Sequence, residues 1–422
     1  MHQINKEQLK NKFTFIILVL FLVMSAQLYS QDCTLDSTGL IPIIDLGSDY
    51  YEGFQGGLYF GSNEKPVVQI ANLEYAISNI SPRNSYGDFD TNSGNIVLLS
   101  IGASNPKTEF ESFQNITDTF CLINPYLKIV NGCEGGQAIQ KIIDTSNYYW
   151  QFVNDQLLTN GVNNNQVQII WLEDDNSSSD NYNFPSAPQE LMIEFKQLFK
   201  ILIDKYPNLQ ICYLNGRGYG GYIESDSKVG DGLRFPRDYY NGWAMKWLIG
   251  NQIMGDTSLN FIGTDRNAPV LDWSAYLWTD GANPRSDGLY TECTTDLKPA
   301  DGLHWSPAGN DKLGMEIFEK FYNDAEARKW FLKDSATIAN NENKSSYFNF
   351  YPNPSDDLFY IRSNCSERFD LYMYSAIGEL VKEEKNLINN PIIKTDLPQG
   401  VYLLVIKTKT NEVFSYKMII RK

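Results

Sequence analysis

Four continuous apolar runs alternate with helix-period segments through the middle of the chain. Residues 95–101 read NIVLLSI, and residues 127–130, 166–172 and 210–214 are of the same kind. An apolar run without polar alternation is what a strand covered on both faces requires. Within 188–206, between the last two runs, Leu191, Phe195, Leu198, Phe199 and Leu202 keep the spacing of an amphipathic helix, and Pro207 ends it. Residues 148–158 and 241–254 also read as helices, and 307–321 opens with a proline in its first turn. Strands alternating with helices predict an α/β domain with a parallel sheet covered on both sides. In such sheets ligands bind at the carboxyl ends of the strands.

The pattern changes near both ends. Residues 333–347 (KDSATIANNENKSSY) are polar and read as a linker. Beyond them, 358–362, 369–374, 400–407 and 414–420 alternate with period two. Turn residues at Asn353-Pro354, Gly378 and Pro398-Gln399-Gly400 separate these runs. That predicts a small antiparallel β-sandwich. At the start, Lys6, Lys10 and Lys12 precede an apolar run at 13–24, followed by Ser25, Ala26 and Ser30. This is the form of a secretory signal peptide, and the run is short of the roughly 20 residues that span a bilayer. The expected organisation is a signal peptide at 1–30, cleaved between Ala26 and Gln31, an α/β domain at 31–332, a linker at 333–347 and a β-domain at 348–422. Cys33 lacks the Leu-x-x approach of a lipid-modified cysteine, so no lipid anchor is expected.

Composition narrows the chemistry. The aromatic content of 14% argues against disorder, and the formal charge of −16 argues against nucleic-acid partners. Loss of three lysines and one glutamate with the signal peptide takes that charge to −18. The only histidines are His2 and His304, so the mature chain keeps one. Multi-histidine zinc, iron and copper sites are thereby excluded. Export would expose Cys33, Cys121, Cys133, Cys212, Cys293 and Cys365 to oxidation. One or two disulfides are expected, with connectivity open; no Cys-x-x-Cys pair marks a zinc ribbon or a redox site.

Three segments after the apolar runs carry candidate chemistry. Gly102-Ala103-Ser104-Asn105 follows the first run. A serine there can stand exposed in a sharp turn, with helix amides near it to steady an anion; an ordinary loop with Ser104 as helix cap is the alternative. The second run leads into Asn131-Gly132-Cys133-Glu134-Gly135-Gly136-Gln137, where paired glycines permit close backbone approach or simply a tight turn. Asp301-Gly302-Leu303-His304 stands before the last helix. A carboxylate on one imidazole nitrogen leaves the other to take a serine proton; a lone histidine beside a helix cap is the alternative.

Together these segments resemble the SGNH hydrolases, the GDSL-type esterases. Asp301-Gly302-Leu303-His304 with Ser306-Pro307-Ala308-Gly309 is similar to the family's last block, Ser104 to its first and Gly136 to its second, although Gly-Asp-Ser is replaced by Gly-Ala-Ser. The resemblance implies a flavodoxin-like sheet and acyl transfer with no metal or organic cofactor. Ser104 would be the nucleophile, His304 the base and Asp301 its orienting group. The amides of Ser104 and Gly136 would hold the oxyanion. The third block departs from the family: Trp171-Leu172-Glu173-Asp174-Asp175-Asn176 stands where Gly-x-Asn-Asp is usual. It looks more like the Trp-x-Gln-Gly-Glu form of carbohydrate O-acetylesterases. Asn105 and Asn176 are therefore the candidates for a third oxyanion donor, whose loss costs about two to three orders of magnitude in rate. At the other end, Phe350-Tyr351-Pro352-Asn353-Pro354, Leu371-Tyr372-Met373-Tyr374 with Gly378, Leu397-Pro398-Gln399-Gly400-Val401-Tyr402 and Lys417-Met418-Ile419-Ile420 resemble the C-terminal sorting domain of type IX secretion substrates. That implies a Bacteroidetes-type secreted or surface protein with the secretion machinery as a partner.

A carbohydrate or small ester is the expected substrate. Trp171, Glu173, Arg217 and Tyr219 are candidates for binding it, with Trp273, Tyr276 and Trp278 further along, because aromatic faces and an arginine suit a sugar; core packing is the alternative for all the aromatics. Residues 54–63 are a candidate lid. Three functions compete: a secreted esterase removing acetyl groups from carbohydrate, a non-catalytic carbohydrate-binding surface protein on the same fold, and a glycosidase using Glu173, Asp174 and Asp175.

Overall fold

The four apolar runs are strands, and a fifth joins them. Strands β1 (Ile96–Gly102), β2 (Leu127–Asn131), β3 (Val167–Glu173), β4 (Ile211–Gly216) and β5 (Val270–Tyr276) form one parallel sheet in the order β2-β1-β3-β4-β5. The computed structural model describes residues 31–120, 122–224, 230–333, 348–356, 358–363, 368–388, 391–409 and 413–421. The expected signal peptide, almost all of the expected linker, Cys121 and Cys365 lie outside them.

Every residue of β1, β3, β4 and β5 is buried. At the sheet edge β2 exposes Lys128. The pattern alone hides β5, because Asp272 and Ser274 interrupt it. Both are buried with partners. Asp272 accepts from the Tyr59 hydroxyl at 2.6 Å and pairs with Lys65 at 3.2 Å, and Ser274 Oγ accepts from the Trp171 indole at 2.9 Å.

Six helices flank the sheet: α1 (Val67–Ser78), α2 (Ser104–Thr119), α3 (Tyr149–Thr159), α4 (Ser186–Lys205), α5 (Arg237–Ile253) and α6 (Pro307–Asn323). On one face α4 packs on α5, and crossovers of the usual right hand set α3 on that same face. On the other face α2 packs on α6, and α1 lies against β4 and β5. The order reverses between β1 and β3, so the crevice outside their carboxyl ends is the expected ligand position. Ser104 follows one of these strands and Asp174 the other.

Cys33 and Cys293 form a disulfide across 260 residues, and Cys133 and Cys212 are buried free thiols. Around the disulfide, Asp32 N–H donates to the Tyr222 carbonyl at 2.8 Å, and the Gln31 side chain bonds the Cys293 carbonyl. The link thus ties the first described residues to the segment that leads toward His304. Replacing both cysteines by serine is predicted to lower the unfolding free energy by about 2–5 kcal/mol. Denaturant titration checks this; an unchanged midpoint would show that the surrounding hydrogen bonds suffice.

The named strands of the C-terminal unit pair antiparallel. Strands β6 (Phe348–Tyr351), β7 (Leu358–Ser363), β8 (Phe369–Tyr374), β9 (Leu380–Leu387), β10 (Ile392–Lys394), β11 (Gly400–Thr408) and β12 (Val413–Ile420) make two sheets, in the orders β9-β8-β11-β12 and β10-β7-β6. Phe359, Ile361 and Ile393 from one sheet share a core with Leu371, Leu404 and Ile420 from the other. The charged sequence of β9, LVKEEKNL, conceals a strand because that strand is an edge with no fully buried residue.

Candidate active site

The turn from β1 into α2 sets the serine. Gly102 adopts φ +156, and a Cβ there would lie 2.2 Å from the Glu173 carbonyl oxygen and 2.7 Å from the Pro106 ring, so only glycine passes. Ser104 is then the first residue of α2, whose leading amides have no intrahelical acceptor. Across from it, Glu134–Gln137 form a turn closed by Gln137 N–H to the Glu134 carbonyl at 3.2 Å. Gly136 takes φ +74 at its third position, as a type II turn requires. Lys107 of α2 pairs with Glu134 at 2.7 Å and fixes this loop beside the serine.

His304 arrives from 200 residues away. Its Nε2 lies 2.9 Å from Ser104 Oγ, and its Nδ1 lies 2.6 Å from Asp301 Oδ2. Asp301 Oδ1 accepts the backbone N–H groups of Leu303 and His304, each at 2.9 Å, so one carboxylate closes the turn and aims the ring. Burial opposes ionisation of Asp301, but these hydrogen bonds outweigh it and hold the carboxyl down at about 2. With a proton on Nδ1 facing Asp301, Nε2 is left as the acceptor for the serine hydroxyl.

Both chain neighbours of His304 are gripped by α2. Asn105 Nδ2 donates to the Leu303 carbonyl at 2.9 Å, and the Trp305 indole donates to Glu109 Oε1 at 2.5 Å. Glu109 is fully buried. Burial pushes its carboxyl well up, and the facing Glu173 pushes it further. Glu173, also raised by burial, accepts from Asn215 Nδ2 at 2.6 Å. Two carboxyls so placed share a proton.

Residues Ser104, Asn105, Gly136, Glu173, Asp174, Asp175, Arg217 and Leu303 are among those lining a pocket of ≈ 70 Å³. The acids of this segment are not a solvated cluster: all three are at least 97% buried. Burial raises Asp174 well above the ordinary carboxylate range. It also raises Asp175, against which Arg237 and Arg217 act; Arg237 lies 3.5 Å away and Asn241 Nδ2 3.2 Å. Asp238, raised to about 6 by burial, accepts from Gly220 N–H and the Trp278 indole at 2.7 Å each.

The structure therefore brings together Ser104, His304, Asp301, Gly136, Asn105, Glu173 and Arg217. It does not bring Trp171 or Tyr219 to the pocket. Trp171 is wholly buried on a strand covered on both faces, packed on Phe110. The Tyr219 hydroxyl donates to the Leu35 carbonyl at 2.7 Å, and its ring packs on Tyr222. Trp273, Tyr276 and Trp278 are likewise core. Asn176 Nδ2 donates to Glu194 at 2.6 Å, and Asn105 Nδ2 donates to the Leu303 carbonyl. The expected lid is pinned, since Lys246 donates to the Gly56 and Gly57 carbonyls and Tyr59 to Asp272. Glu109, Asn241 and Trp305 escaped the sequence reading. Asn105 and Glu109, four residues apart on a helix that buries Phe110 and Phe113, were the available signal. Among the described residues no group of three or more His, Cys, Asp or Glu is arranged to hold a metal ion.

Comparison with known proteins adds the address of the chain. Residues 349–421 match the secretion system C-terminal sorting domain. The chain is thus a secreted or outer-surface protein, and its last domain engages the type IX secretion machinery. No curated protein matches it. Among solved structures, PorZ, an essential surface component of the type IX secretion system of Porphyromonas gingivalis, aligns at 13% identity and a TM-score of 0.16 over 19% of this chain and 13% of PorZ. A gut microbial diltiazem-metabolizing enzyme aligns at 12% identity and a TM-score of 0.36, covering 76% of this chain and 70% of that enzyme. An endo-β-1,4-mannanase of Cellulomonas fimi, a double mutant, aligns at 10% identity and a TM-score of 0.19, covering 76% and 59%. At these scores none of the likenesses defines the fold.

Glu109→Leu leaves the Trp305 N–H and the Glu173 carboxyl without their partner, and is predicted to cost about 1–3 kcal/mol of stability. Glu109→Gln, which keeps an acceptor for the indole, is predicted to recover most of it. Equal denaturation midpoints for wild type and the leucine variant would show that the bond holds nothing in place.

Proposed function

We propose that the chain is a secreted serine esterase of SGNH type that removes acyl groups, acetyl in the first instance, from carbohydrate esters. The observation that carries this reading is the hydrogen-bonded series Ser104–His304–Asp301 at the carboxyl end of a parallel sheet. Ser104 Oγ attacks the ester carbonyl while His304 Nε2 takes its proton. The amides of Ser104 and Gly136 receive the oxyanion, and the alcohol leaves with the proton from His304. Water, activated by the same imidazole, then releases the acid from the acyl-enzyme. The 31–332 segment is the unit assigned to this chemistry. Export supports an extracellular polymer as the source of the ester, because the sorting domain places the enzyme outside the cell.

Assay of the mature chain on p-nitrophenyl acetate and on acetylated xylan tests the assignment. Ser104→Ala and His304→Ala are each expected to reduce acetate release by roughly four orders of magnitude or more. Asp301, held down at about 2, is expected to stay ionised on mild acidification, so its grip on the imidazole should persist. Activity that survives Ser104→Ala would sink the mechanism. Glycosidic cleavage indifferent to His304→Ala would transfer the chemistry to the carboxylates, and binding without turnover would leave a surface lectin-like role.

A further inference from the structure

Three buried polar atoms on residues lining the pocket beside Ser104 have no hydrogen-bond partner among the described residues. They are Asn105 Oδ1, Arg217 Nε and Asp174 Oδ2, and each belongs to a side chain more than nine-tenths buried. Leaving such an atom unpaired costs about 1–3 kcal/mol. All three residues line the same pocket of ≈ 70 Å³, and together they leave beside it a set of unmade hydrogen bonds that one small polar group can satisfy.

The chemistry of that group follows from the three atoms. Asn105 presents its oxygen because its nitrogen donates to Leu303, so the oxygen accepts only. Arg217 Nε–H donates only. Asp174 Oδ1 already accepts the Asp175 N–H at 2.8 Å. Burial favours the neutral acid, which places the proton on Oδ2 as a second donor. The complement is one donor and two acceptors on a single small group, and an alcohol hydroxyl has that set. A carboxylate offers no donor, an ammonium no acceptor and a methyl group neither.

We propose that this pocket is a hydroxyl subsite, in which a free hydroxyl close to the scissile ester donates to Asn105 and accepts from Arg217 and Asp174. The identity of the bond cut rests on the esterase reading above; the subsite itself does not. The hydroxyl has two possible sources: the acyl group, as in a 2-hydroxy acid ester, or the alcohol, as in a sugar or polyol esterified next to a free hydroxyl.

Two ester pairs separate the sources in the mature chain. Methyl glycolate against methyl acetate adds the hydroxyl on the acyl side, and 2-hydroxyethyl acetate against ethyl acetate adds it on the alcohol side. Each kcat/KM ratio is divided by the ratio of the two alkaline hydrolysis rates. One corrected ratio is expected to reach at least ~10, since a site built to bond a hydroxyl rejects the analogue lacking it. Arg217→Lys and Asn105→Leu should bring it toward one, and Asp174→Asn, which keeps a donor, should retain most of it. Two corrected ratios near one would mean that the pocket takes only water, and would overturn the proposal.

A second measurement does not need turnover. In Ser104→Ala, competition saturation-transfer NMR should rank one hydroxylated ester at least ~10-fold above its partner. If the wild type cleaves nothing, that preference upholds the subsite while the esterase reading falls; equal binding overturns the subsite.

Discussion

The reach of His304 to Ser104 depends on a clamp applied by the serine's own helix. Asn105 and Glu109 of α2 bond the residues immediately before and after the histidine, through the Leu303 carbonyl and the Trp305 indole. A side chain carried on a loop 200 residues downstream would otherwise sample many positions. Here the loop and the helix are held by buried polar bonds, which the low local dielectric strengthens and makes costly to leave unmade. Asp301 then has to fix only the rotation of the ring.

The clamp draws on an unusual store of buried acid. Glu109, Glu173, Asp174, Asp175 and Asp238 are buried around the arginines Arg217 and Arg237. Full ionisation of five carboxyls around two cations in the interior would be prohibitive, so burial drives several of them to the neutral acid. Neutral carboxyls donate as well as accept. That is how the carboxyl ends of β1 and β3 become lined with groups that both donate and accept hydrogen bonds.

The same site shows how far pattern reading reaches. Asp301, Gly302 and His304 were legible because a carboxylate three residues before an imidazole is a local arrangement, fixed by one turn. β1 to β4 were legible because burial leaves apolar residues dominant in them, despite isolated polar positions such as Ser100, Lys128 and Gln168. β5 was not, since Asp272 and Ser274 satisfy themselves through Tyr59, Lys65 and Trp171, residues remote in sequence. Trp171, Trp273 and Tyr276 suggested a sugar platform and proved to be core, because an aromatic residue on a covered strand has nowhere else to go. In the last domain, β9 was lost among its charges for the opposite reason: an edge strand need not bury anything.

By itself, the sequence determined the export address at residues 349–421, the parallel sheet and His304 as the one histidine outside the expected signal peptide. These are properties of periodicity, composition and short motifs, written in neighbouring residues. Only the tertiary structure decided what surrounds that histidine. The bonds from Asn105 and Glu109, the facing carboxyls and the unpaired atoms of Asn105, Asp174 and Arg217 arise between elements far apart in the chain. Their partners, burial and charge exist only once the sheet has brought β1, β3 and β4 side by side.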